Sequence, residues 1–333
     1  MILSIIVPVY NTGVYLEECL NSLLNQGLKS SDYEIICIND GSTDDSQTVL
    51  DMYTRKYSNI KVFNQVNCGL SVSRNRGIDL SCGKYLFFMD SDDILEDNFL
   101  SYVIQKMTDK NLQLFLFDGK SFLDGDDASS LFIDYNREKK YGFYRSGAEL
   151  LNELSKDRKF YSSVCLYIVA SELIKNNIRF IEGIIHEDEA FTTEVFLRAK
   201  NVYHINYPGF QRRIRPESIM TSKKTSKNFQ GYYYAFLKLN ELLLNSQFRK
   251  SMGLRIRIVE LYESLLNIYN ELDEPELELI TYELKRVKNI AKENNYYYFK
   301  CWLRHYNVFT RLVFNSVVKV RQVWADRYIR RKN

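Results

Sequence analysis

The sequence predicts an α/β protein: a mostly parallel central sheet with helices on both faces, followed by a helical C-terminal region. Three observations predict it. Ile2–Val9 is a continuous apolar run, the pattern of a strand buried on both faces. Tyr15–Gln26 follows with Leu16, Cys19, Leu20, Leu23 and Leu24 on one helical face, and this alternation of run and helix repeats through residue 117. Beyond Ser226 the apolar spacing is helical almost to the end.

The elements follow in order. Tyr33–Ile38 reads as the second strand, Asp40-Gly41-Ser42-Thr43-Asp44 as a turn and cap, and Ser46–Tyr57 as a helix. Ile60–Phe63 is the third strand, Cys68-Gly69-Leu70-Ser71 opens a helix through Leu80, and Lys84–Met89 is the fourth strand. A helix is expected over Ile94–Met107. Residues 118–145 are polar and read as a loop or irregular insertion. Residues 146–180 return to helix and strand, and 181–220 hold a second charged cluster containing a helix over Ala190–Ala199. The last helices are Asn228–Asn245, Met252–Leu272, Leu277–Asn294 and Tyr306–Tyr328, broken only at Pro275. The expected organisation is one domain over 1–220, with halves 1–117 and 118–220, and a helical region over 221–333.

With 333 residues, 45% hydrophobic, the chain can bury a full core. A formal charge of +3 gives no argument for nucleic acid. From Lys300 onward, however, nine Lys or Arg stand against the single acid Asp326. The six cysteines form no CxxC pair and mostly lie in apolar runs, as expected of free thiols in a reducing cytosol. Met1–Pro8 has no basic leader, and no apolar stretch reaches the ~20 residues of a membrane span, so a cytoplasmic or surface-bound protein is expected.

Candidate chemistry gathers at the strand ends, where open parallel sheets bind ligands. Val7-Pro8-Val9-Tyr10-Asn11 closes the first strand, Asp40 the second, and Asp90-Ser91-Asp92-Asp93 the fourth. Three crowded carboxylates repel unless a cation or donors compensate, and a hard divalent ion completed by substrate phosphates suits them. A bland alternative is a set of acids favouring a helix N-terminus. His186-Glu187-Asp188-Glu189 offers a general base, or an exposed acidic turn. Arg212, Arg213 and Arg215 have the forks that suit diphosphate oxygens, or form a solvated basic loop.

Taken together, these residues resemble the family 2 glycosyltransferases of the GT-A fold, especially bacterial enzymes of surface-polysaccharide assembly. The matching pieces occur in the family's order: Ser4–Asn11, Ile38–Ser46, Asn67–Gly77, Phe88–Asp93, His186–Asp188 and Arg213–Met220. The likeness covers roughly residues 1–220. Cys68 and Pro216 depart from the family's pattern.

The resemblance implies a Rossmann-like nucleotide-sugar-binding half over 1–117 and an acceptor-side half over 118–220. It implies that Pro8, Tyr10, Asn11, Asp40 and Arg74 line the nucleotide pocket, and that Asp90 and Asp92 form the DxD pair for ribose and metal, with Ser91 between them. Arg213, Arg215 and Ser218 would close over the diphosphate, and Asp188 would be the catalytic base. The implied cofactor is Mg²⁺ or Mn²⁺. The implied partners are a nucleoside diphosphate sugar, most simply a UDP-sugar, and a saccharide or lipid-linked saccharide acceptor. Base and leaving group on opposite sides of the sugar invert the anomeric centre, through a transition state with oxocarbenium character.

Two rival enzyme classes fit less well. A phosphatase of the HAD type carries its Asp-x-Asp on the first strand, and a sugar nucleotidyltransferase needs a Gly-rich basic loop after it. A non-catalytic nucleotide-binding descendant is the non-enzyme alternative, against which Asp188 argues. On a helix over Tyr306–Tyr328, Tyr306, Phe309, Val313, Val317, Val320 and Trp324 form one stripe. It fits contact of residues 300–333 with the inner membrane face, packing on the catalytic domain, or a homodimer through the C-terminal helices.

Overall fold

The computed structural model describes residues 1–123, 134–175, 178–214 and 223–296. The expected helix Tyr306–Tyr328, the basic tail, Arg215, Ser218 and Cys301 lie outside the described residues. Residues 1–280 form one compact unit. A second unit begins at 281, and its described part, residues 281–296, carries the helix α11 (Thr281–Glu293).

The first unit opens with β1 (Leu3–Val9), α1 (Gly13–Leu24), β2 (Tyr33–Asp40), α2 (Ser46–Lys56), β3 (Ile60–Gln65), α3 (Leu70–Leu80) and β4 (Tyr85–Phe88). Every residue of β1, β2 and β4 is buried, as continuous apolar runs covered on both faces require. β3, β2, β1 and β4 lie side by side, all parallel. In register, Val9 stands opposite Asn39 and Asp40 opposite Gln65, so the chain leaves β1, β2 and β4 on one edge of the sheet.

Next come β5 (Ile94–Leu95), α4 (Phe99–Asp109), β6 (Leu114–Leu123), β7 (Gly142–Ser146), α5 (Gly147–Lys156), β8 (Tyr167–Ala170) and α6 (Ser171–Lys175). α7 (Asp188–Arg198), β9 (Lys200–Ile214), α8 (Ser226–Leu244), α9 (Met252–Glu271) and α10 (Glu274–Glu278) complete the unit. The sheet continues from β4 through β8, β6 and β9 to β5, and β7 also pairs with β9. β8 runs antiparallel to both neighbours, so the sheet is mixed but mostly parallel. α8 and α9 pack on each other, α8 against α7, and α9 against α5 and α7.

Three expectations are corrected. Ile94–Met107 is not one helix: Ile94 and Leu95 pair antiparallel with Gln211 and Phe210, and the helix starts after Asn98, which adopts a left-handed φ of 58°. Residues 118–123 and 142–146 are strand rather than loop, because β9 supplies partners on both sides. The charged stretch after Ala199 is a fifteen-residue strand whose buried residues include Val202, His204 and Phe210. Ladder partners distant in sequence override local polarity. Among the described cysteines none is bonded to another; Cys19, Cys37 and Cys165 are buried, Cys68 and Cys82 exposed. Among the described residues no helix is long and apolar enough to cross a membrane.

Candidate active site

One wall of a crevice is built from the ends of β1 and β2. Pro8 is buried inside β1 against Ile38, and the chain emerges at Tyr10, 49% exposed. Asn11 takes a left-handed φ of 51°, and its Oδ1 accepts the Thr43 N–H at 2.8 Å, while Ser42 Oγ accepts the Asn11 N–H. Asp40, nearly buried, accepts from the Cys68 and Gly69 N–H groups at 2.8 Å each and from Gln65 Nε2 at 2.7 Å. Its carboxylate thereby holds the turn that leads into α3, the helix that carries Arg74.

Asp90, Ser91, Asp92 and Asp93 follow β4. The Ser91 hydroxyl is buried and shares a 2.8 Å hydrogen bond with Thr12 Oγ1, fastening this turn to the end of β1. Asp93 is also buried. Its Oδ1 accepts the Arg213 N–H at 2.7 Å, and burial, then the charges of Asp92 and Asp90, hold its carboxyl well above the usual range. The Arg213 guanidinium donates to the Asp92 carbonyl at 2.9 Å and to Glu18 of α1.

Arg74 is the centre of the site. Its guanidinium, buried beneath the cleft, donates to Asp90 Oδ1 at 2.7 Å and, from its other arm, to Glu187 Oε1. The fork gives one cation two carboxylates far apart in sequence. The strand-end acids and the His186–Glu189 turn therefore share one arginine. Asp188, first residue of α7, is partly buried beside it. Burial, then Glu187 and Glu189, push its carboxyl up to about 8, against Arg74, and the Asp90 charge adds to the rise. A helix N-terminus favours a carboxylate by only about 0.3–1 kcal/mol, and here it loses.

The turn before α7 is held from the C-terminal helices. His186 adopts a left-handed φ of 61°, rare for a residue with a side chain. Its ring stacks on Tyr232 at 4.3 Å, with Nε2 3.2 Å from Asn228 Nδ2. Gly231 of α8 lets the Ile185 carbonyl approach to where a Cβ would meet it at 2.0 Å. Arg257 of α9, buried, donates to Glu189.

Two partners were not singled out from sequence, Tyr135 and Arg257, and two others, Arg212 and Glu187, were named only as members of their runs. Arg212 donates to the Tyr135 hydroxyl, and the charges of Asp93 and Asp90 act on it; those of Asp93 and Asp188 act on Tyr135. The arginine run and the Glu-Asp pair were visible signals for Arg212 and Glu187. Tyr135 in an apparent loop and Arg257 in a remote helix had none. Among the described residues no three His, Cys, Asp or Glu side chains form a ready-made metal cage.

Residues 4–162 match the model of Glycosyl transferase family 2. Glycosyltransferase GlyG of Streptococcus pneumoniae serotype 4 is 28% identical over 302 residues, covering 88% of this chain and 98% of that protein. S. aureus TarS 1-349 in complex with UDP-GlcNAc aligns with a TM-score of 0.66 at 21% identity, covering 86% of this chain and 79% of TarS. Mannosyltransferase PcManGT of Pyrobaculum calidifontis, in complex with GDP-Man and Mn²⁺, aligns at 0.56 and 12% identity, covering 93% and 87%. The family model thus matches the strand-rich half of the chain, and the structural likenesses show a shared fold.

Proposed function

We propose that this chain, whose residues 4–162 match the family 2 glycosyltransferases, moves one sugar from a nucleoside diphosphate to an acceptor hydroxyl with inversion. UDP-sugar is the proposed donor, in keeping with the TarS complex. The proposed acceptor is a glycan or lipid-linked saccharide of a cell-surface polysaccharide, met in the cytoplasm or at the inner membrane face. What carries the reading is the Arg74 bridge, which ties Asp90 and the residue before Asp188 to one guanidinium.

In this reading Tyr10, Asn11 and Asp40 frame the nucleotide crevice, with Pro8 setting the strand exit. Arg213, joined by Arg215 and Ser218, attends the diphosphate. Asp90 and Asp92, both partly exposed at the end of β4, fit a Mg²⁺ or Mn²⁺ ion, since such ions take one or two carboxylates and complete their shell with phosphates and water. When bound, the cation would neutralise charge on the departing diphosphate, worth several kcal/mol.

The rest falls to the protein. Asp188 takes the proton of the acceptor hydroxyl, whose oxygen attacks the anomeric carbon. The bond from that carbon to the diphosphate oxygen breaks on the opposite side, and its electron pair leaves with the nucleotide. Because the Asp188 carboxyl stands at about 8 in the free protein, only its deprotonated fraction is a base. kcat/KM should therefore rise with pH up to about 8 and level off above it. Rate measurements from pH 6 to 9 check this, and a flat profile removes Asp188 from the role.

The deciding experiment screens a panel of nucleotide sugars for metal-dependent release of nucleoside diphosphate, with Asp188→Asn as control. Binding of UDP without turnover of any donor would favour the non-catalytic alternative. Liposome flotation and sedimentation of the intact chain, against one ending near residue 300, address membrane contact and dimerisation; equal behaviour excludes both roles for the tail.

A further inference from the structure

A second concavity opens along β9, and none of Asp90, Asp92, Asp93 or Asp188 lines it. Its volume is about 690 Å³, within the range of ligand clefts. Its floor is aromatic: Phe99, buried at the start of α4, lies under Tyr207, the rings 5.5 Å apart and 16° from parallel. Phe117 braces Phe99 edge-on at 4.8 Å. Gly209 permits this, since a Cβ there would meet the Phe99 ring at 2.5 Å. Tyr207 is nonetheless 47% exposed, and Tyr102, also on the lining, 44%. Asp97 and Asn98 are exposed at the rim, and Asn206 is held there by Asp118 and by Asn136 at 2.9 Å.

We propose that this cleft is a saccharide-binding site for the acceptor chain, outside the transfer centre. The braced face of Tyr207, with Tyr102 on the same lining and carboxylate and amide groups beside them, suits a sugar, whose C–H face stacks on a ring while its hydroxyls reach polar side chains. The lining charges favour a neutral ligand over an anion. Glu138 and Lys139 are engaged by Lys159 and Asp157, and the other two charges on the lining, Asp97 and Lys140, are of opposite sign.

β9 connects the cleft to the site. Tyr207 and Arg213 lie six residues apart on one strand, at most about 20 Å. An oligosaccharide of several units could occupy both ends, its growing end near Asp188 and an earlier segment on Tyr207. The proposal rests on the transferase reading above, but it has its own readout.

The full chain would be tested on a printed array of bacterial surface glycans, alongside Tyr102→Ala/Tyr207→Ala and Asp188→Asn. The wild-type chain and Asp188→Asn should bind a common subset of glycans. The double variant should lose about tenfold in binding, with unchanged UDP affinity by calorimetry and unchanged far-UV circular dichroism. Equal array binding by the double variant, or no binding by the wild-type chain, overturns the proposal. Lack of UDP binding and of donor turnover in the wild-type chain would instead sink the transferase reading, while the effect of the tyrosines on array binding would still decide the cleft.

Discussion

Replacing Asp188 by asparagine is expected to reduce turnover by about 10²–10⁴-fold, the worth of a positioned general base, and to leave UDP affinity unchanged. Asparagine keeps the shape but cannot accept the acceptor's proton. The surroundings explain why the change should be tolerated by the fold. The Asp188 carboxyl is held up to about 8, by burial first and then by Glu187 and Glu189. At neutral pH the free protein already carries it mostly protonated, so an uncharged amide resembles the resting state. The variant should therefore be no less stable than the parent near pH 7, in contrast to loss of a paired buried charge. Initial rates with a donor found by the nucleotide-sugar panel, together with calorimetry for UDP, check both halves. Near-normal turnover would exclude Asp188 as base.

Arg74→Met should lower both stability and activity. The methionine fills much of the volume but leaves Glu187, whose side chain is 8% exposed, without its cation. Removing one partner of a buried pair costs about 3–5 kcal/mol. The Asp90 arm adds little to this, because that carboxylate is 39% exposed and solvent screens it, as in surface pairs worth about 0–1 kcal/mol. Equilibrium urea unfolding reads the loss. Arg74→Lys separates stability from positioning: an ammonium satisfies one carboxylate but not both arms of the bridge. It should recover most of the stability and little of the turnover. Full activity in Arg74→Lys would show that the double contact is dispensable.

Much of the β1–β4 half was legible in the sequence because its signals are local. Runs such as Ile2–Val9 are apolar on both faces only when a strand is covered twice, and Asp40 and Asp90 stand directly at strand ends, where sheet topology gathers them. The β9 side was less legible. Lys200–Ile214 carries charge at alternating depths, and its pairing with β6, β7 and β5 reaches to residues between 94 and 146. No local period reports such partners. Tyr135 escaped for the same reason, standing in a polar stretch and meeting Arg212 only through the fold. Arg257 escaped because a charged residue on a helix is ordinarily solvated, whereas this one is buried against Glu189 and Glu260. Asp188 was legible as a residue type in a motif; its raised carboxyl comes from burial and neighbours that only the assembled turn provides.

The proposed opposition of Asp188 and the leaving diphosphate across the sugar is most directly tested by the anomeric configuration of the product. With an α-linked nucleotide sugar identified as donor, proton NMR of the purified glycoside reads the new linkage from its anomeric coupling. A β-linked product is expected. An α-linked product would contradict a single displacement with Asp188 as its base.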